Sequence, residues 1–67
     1  MYRYVITLEE VDDPRFIKDI LEELGDTVAR VNKSRNEVTI DTSESISDIY
    51  EVLKEEGYEI VDVEMKS

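Results

Sequence analysis

Four carboxylates fall within five residues, at Glu9, Glu10, Asp12 and Asp13, just before Pro14. Carboxylates this close together can do two kinds of chemistry. They can hold a hard cation such as Ca²⁺ or Mg²⁺, which takes oxygen ligands. Or two of them can divide acid and base roles, when their surroundings push two pKa values apart. The spacing tells against the first. A calcium loop sets oxygen ligands at alternate positions with a Gly at its sharp turn, and this stretch has neither. The second, as in a glycosidase, needs a cleft, and a chain of 67 residues buries too little to enclose one. A structural role accounts for the residues instead. Asp13 ahead of Pro14 starts a helix, and Asp12 adds negative charge near the helix N-terminus, worth about 0.3–1 kcal/mol at most. The expectation is a solvated loop, no catalytic residue and no cofactor. Weak hard-cation binding by Glu9, Glu10, Asp12 and Asp13 is the one metal chemistry left open.

Composition removes other functions. There is no Cys and no His. Thiol nucleophiles, disulfides, thiolate metal sites and the commonest general base are therefore excluded. Eighteen acidic residues against eight basic ones give a net charge of −10. Such a surface repels nucleic-acid phosphates and anionic membranes, and favours basic partners. No apolar run approaches the roughly 20 residues of a membrane span. The opening Met-Tyr-Arg-Tyr-Val-Ile-Thr lacks the pattern of a signal peptide. The chain reads as a soluble single domain over residues 1–67, which for a natural protein implies the cytoplasm.

The elements that must position the loop follow from periodicity. Tyr2 to Leu8 alternates, with Tyr4, Ile6 and Leu8 on one face, and reads as a strand. Ile17, Ile20, Leu21 and Leu24 recur at helical spacing, flanked by Phe16 and stopped by Gly25. A second strand spans Thr27 to Asn32, with Val28 and Val31 as its main apolar residues. Turn formers from Lys33 to Asn36 make a hairpin into a third strand, Glu37 to Asp41. Val38 and Ile40 face in; Glu37, Thr39 and Asp41 face out. Thr42 to Ser45 is a loop. Ser45 with Asp48 resembles a capping box and opens a second helix through Ile46, Ile49 and Leu53, with Tyr50 and Val52 flanking and Gly57 ending it. Tyr58 to Met65 is the last strand. Tyr58 and Ile60 suggest one inward face; Val61, Val63 and Met65 suggest the other; a bulge would serve both.

The order βαββαβ predicts an α+β, ferredoxin-like two-layer sandwich, with an antiparallel sheet in order 4-1-3-2 and both helices on one face. At this level the chain resembles a heavy-metal-associated domain, the fold of small copper chaperones. The residues carrying the resemblance are Ile17, Leu21, Leu24, Val28, Val31, Val38, Ile40, Ile49 and Leu53, followed by Gly57-Tyr58-Glu59-Ile60. The resemblance implies Met-x-Cys-x-x-Cys at the end of the first loop, where two thiolates grip Cu(I). Counting back from Ile17 puts Glu10 and Asp13 at those two positions. Carboxylates are hard ligands and Cu(I) wants sulfur, so metal transfer does not carry over.

Two surfaces remain. Tyr2, Tyr4, Tyr50 and Tyr58 could stack RNA bases, but the third strand's outer face is acidic and lacks an aromatic. They fit the rim of a small core, hydroxyls toward water. Val5, Val61 and Val63 would form an outward apolar stripe, open to a protein partner or weak self-association; with Val61 and Val63 inward, no stripe exists. The expected state is a monomer. Two functional classes follow. The one the sequence favours is a designed or redesigned scaffold, shaped for folding alone. The capped helices and the blank loop favour it. The other is a natural, metal-free binding or regulatory module. The acids at the helix C-termini, Glu22, Glu23, Glu55 and Glu56, favour that, since the dipole there disfavours anions.

Overall fold

The computed structural model describes residues 1–66. The elements are β1 (Tyr2–Leu8), α1 (Pro14–Glu22), β2 (Thr27–Asn32), a 3₁₀ turn (Lys33–Arg35), β3 (Glu37–Thr42), α2 (Ile46–Glu55) and β4 (Ile60–Met65). All pairings are antiparallel, in the order β2-β3-β1-β4. Read from its other edge this is the expected 4-1-3-2 order, and the fold is a ferredoxin-like α+β sandwich.

Each helix forms where a side chain satisfies its first free N–H groups. Asp13 Oδ1 accepts from Arg15 N at 3.1 Å and Phe16 N at 3.4 Å. Ser45 Oγ accepts from Asp48 N at 3.4 Å and donates to the Asp48 carboxylate at 3.1 Å. Beyond α1 the chain turns through positive φ at Gly25 and Asp26; beyond α2 it does so at Gly57, where φ is 87°. The buried stripes are Ile17 with Leu21 and Ile49 with Leu53, each pair four residues apart. They close over Ile6, Leu8, Val38 and Ile40 of the two central strands. At the end of the core two buried threonines meet, Thr27 and Thr42, with hydroxyl oxygens 2.8 Å apart. Thr27 donates its proton to Gly25 O, so Thr42 donates to Thr27 and accepts from Glu44 N. Among the described residues no buried side-chain polar atom lacks a partner.

Four details correct the sequence expectation or decide what it left open. Thr42 belongs to β3 and is fully buried, where a loop was expected. In β2 the inward residues are Thr27, Ala29 and Val31, so Val28 points outward and is 51% exposed. The sequence left this parity open between Val28 and Val31; the hydroxyl pair and buried Ala29 set it. β4 begins at Ile60, because Tyr58 N–H still closes the end of α2 on Leu53 O at 3.0 Å. Val63 is inward, opposite Ile6, so the Val5–Val61–Val63 stripe does not form. The register steps from Thr7↔Asp62 to Leu8↔Ile60, which leaves Val61 as the extra residue of a bulge. That bulge lets Ile60 and Val63 share the inner side while Val61 is turned out, 59% exposed.

Candidate functional site

The Glu9–Phe16 stretch is built outward from the end of β1. Leu8 N–H donates to Asn36 O at 2.8 Å and Glu9 N–H to Glu59 O at 2.9 Å. The next fastening comes from the β2–β3 turn. Asn36 has φ of 54°, the left-handed region that Asn tolerates better than most residues. This aims its side chain at the loop, where Oδ1 accepts from Val11 N at 3.3 Å and Nδ2 reaches Glu9 O at 3.5 Å. Val11 is only 3% exposed and joins the core. One apolar residue among acids therefore anchors a loop that the sequence presents as polar.

The four carboxylates do different things. Asp13 caps α1. Asp12 Oδ1 accepts from the Tyr58 hydroxyl at 2.8 Å and from Asp13 N at 2.7 Å. The Tyr58 bond, and then the Asp13 N–H, hold the Asp12 carboxyl below its usual pKa. Burial pushes the Tyr58 hydroxyl up to about 12, with the Asp12 hydrogen bond adding to it. Glu9 and Glu10 are exposed. Among the described residues no three acidic groups converge to hold a metal ion. Glu10 and Asp13, paired in the sequence reading, have separate fates: one faces solvent and the other caps a helix.

The bond across Tyr58 and Asp12 has a pH signature. A group whose folded pKa is raised stabilises the fold below its unfolded value and loses that contribution as pH rises through the folded value. For Tyr58 the window runs from about 10, the free tyrosine value, to about 12. The Asp12 carboxyl is lowered, so its share is present above about 3.9 and fades as pH falls below that. Tyr58→Phe is expected to remove the alkaline loss between pH 10 and 12, seen as a flatter plot of urea midpoint against pH. An unchanged plot would show that this hydrogen bond does not couple to folding.

Around Tyr58 the surface is concave. On one side Glu9, Glu10, Asp12, Glu56 and Glu59 line a depression. On the other, past the ring, Tyr50, Lys54, Ile60 and Val61 continue it. The ion pairs among the described residues are Arg3–Asp41, Lys18–Glu22 and Lys66–Glu64. None of them touches the five carboxylates of the depression; Lys54 on its far side and Lys33 near Asp12 offset that charge only in part. Tyr50 is 37% exposed and stands with Val61 as an apolar wall beside them.

The four tyrosines do not form one surface; Tyr2 and Tyr4 lie on β1, away from Tyr50 and Tyr58. Tyr4 is buried on the inner side of β1, with Tyr2 exposed beside it, ring centroids 6.3 Å apart. Tyr58 gives its hydroxyl to Asp12, where contact with water was expected. The outer sheet face carries Arg3 paired with Asp41 at 2.8 Å, and Val5 opposite Glu64. Asn36, Val11 and the bond between Tyr58 and Asp12 were missed from sequence. Only Asn36 left a signal, as an Asn closing a run of turn formers. No family model, curated protein or solved structure matches the chain.

Proposed function

We propose that the domain is a metal-free, non-catalytic module that works by protein contact, taking a basic partner in the depression around Tyr58. The observation that carries this is the set of unpaired carboxylates, Glu9, Glu10, Glu56 and Glu59, beside the exposed apolar wall of Tyr50 and Val61. A Lys- or Arg-bearing segment with one apolar side chain complements both halves. The net charge of −10 steers such a partner toward the domain. The lowered carboxylates support a non-catalytic role. Asp12, Glu22 and Asp41 each owe the shift first to a hydrogen bond that fastens the fold, from Tyr58, Lys18 and Arg3. No helix among the described residues is long and apolar enough to cross a membrane, and a Cys-free chain suits a reducing compartment such as the cytoplasm.

A second reading, a scaffold designed for folding alone, is favoured by the side-chain cap on both helices and the Gly after each. Calorimetry and thermal unfolding separate the two. The binding reading expects a Lys-Leu-Lys peptide to bind with micromolar affinity that falls as salt rises, and Glu9→Gln with Glu59→Gln to weaken it about tenfold. Cu(I), Zn²⁺ and Ca²⁺ are expected to give no micromolar isotherm. A midpoint above about 90 °C with no peptide binding would hand the case to the scaffold. Micromolar metal binding would overturn both.

A further inference from the structure

We infer that the free edge of β2 is a separate docking surface, which takes an extended, acid-bearing segment of a partner protein as a fifth strand of the sheet. Strand β2 is outermost, paired with β3 alone. Ala29 N–H points away from β3, because it donates to the Glu22 carboxylate at 3.1 Å. Antiparallel alternation then turns the backbone groups of Thr27 and Val31 to the same open side. An exposed edge of this kind is a template for another strand.

The space beside the edge suits such a strand. Pro14, Arg15 and Lys18 of α1 overhang it, and Ala29, Arg30 and Val31 form its other wall. A chain docked about 4.8 Å out from β2 would send alternate side chains beneath α1, into this apolar groove. The chemistry of its flanks follows from charge. Three of the chain's eight basic residues, Arg15, Lys18 and Arg30, surround the groove in a molecule that is acidic elsewhere. A second copy pairing β2 to β2 would set the same three cations against each other, so self-pairing is disfavoured. A strand with Glu or Asp beside small apolar residues complements both.

Glu22 explains how the edge is kept until then. Its Oε2 occupies the place where a neighbouring strand's carbonyl would accept from Ala29, and Lys18 Nζ holds the carboxylate at 2.8 and 3.0 Å. The Lys18 bond, and then the Ala29 N–H, keep this carboxyl below its usual pKa, so it stays an acceptor at neutral pH. The domain thus carries an internal competitor for its own edge. It blocks casual strand pairing and yields only to a segment that offers Lys18 a carboxylate in exchange. The basic residues and apolar groove here are independent of the Tyr58 depression.

The test uses the full chain, ¹⁵N-labelled, titrated with acetyl-Glu-Val-Thr-Val-Glu-amide and with its Lys-for-Glu counterpart. The acidic peptide is expected to shift the Ala29 and Val31 amides saturably, and the basic one to leave them in place. Glu22→Gln removes the charge that Lys18 holds and is expected to tighten acidic-peptide binding 3–10-fold. Lys18→Glu with Arg30→Glu, both exposed, is expected to weaken it at least tenfold. The inference is overturned if the Ala29 and Val31 amides do not respond at millimolar peptide, if both peptides shift them equally, or if Glu22→Gln weakens binding. Shifts confined to Tyr58 and Glu59 would likewise count against it, while leaving the depression intact as the contact surface.

Discussion

Val11→Asp is expected to cost the domain more than about 3 kcal/mol of folding stability, the largest loss of any single substitution in the Glu9–Asp13 loop. Val11 is 3% exposed, and a carboxylate in its place has no partner in the core. Burying an unpaired charge, or moving the loop out to hydrate it, costs more than about 3 kcal/mol. A domain of this length has only about 3–10 kcal/mol to lose. The informative control is Val28→Thr. Val28 is 51% exposed on the outer face of β2, and the same measurement should change by less than about 0.5 kcal/mol. Urea unfolding followed by circular dichroism checks both. Equal losses at the two positions would mean that the Glu9–Asp13 loop is not anchored through Val11.

Asn36→Ala carries the second large effect, about 2 kcal/mol. Two terms add. A non-glycine, non-Asn residue held at a left-handed φ costs roughly 1–2 kcal/mol, and φ here is 54°. The amide bond to Val11 N contributes roughly another 0.5–1.5 kcal/mol, although its length of 3.3 Å puts it at the weak end. Asn36→Gly separates the terms, because Gly takes the backbone conformation freely yet offers no side-chain acceptor. Its loss should be about half that of Asn36→Ala, measured by the same unfolding titration. If Gly restores full stability, the side chain does not hold the loop.

These two positions show what the sequence could reveal. The sandwich was legible because Ile17, Leu21, Ile49 and Leu53 sit at helical spacing, and Tyr4, Ile6 and Leu8 alternate. Asp13-Pro14 and Ser45 marked helix starts by chemistry that acts within one turn, so no distant contact was needed to see them. Val11 was illegible because burial of a lone Val between acids depends on Asn36, far along the chain. The parity of β2 was illegible because its two valines, Val28 and Val31, lie on opposite faces, and the inward set is Thr27, Ala29 and Val31. The candidate site suffered most. Asp12 and Tyr58 lie at opposite ends of the chain, and no local pattern announces that one holds the other's proton. Glu22 is the converse case. As an acid at a helix C-terminus it breaks a local rule, and its explanation lies in the strand that follows.

The central place of β1 also sets the order of events in folding. Its partners are β3 and β4, and Ile6 faces Val63 across nearly the whole chain. The β2–β3 hairpin has only the Lys33–Asn36 turn to close, which suits it to form on the microsecond scale. β1 gains nothing until a strand made much later comes back to flank it, and sheets dominated by such distant pairings close slowly. In synthesis β1 precedes both of its partners, so its backbone edges stay unpaired until β3 and then β4 arrive. The acidic loop immediately after β1 supplies a like-charge guard against aggregation during that wait.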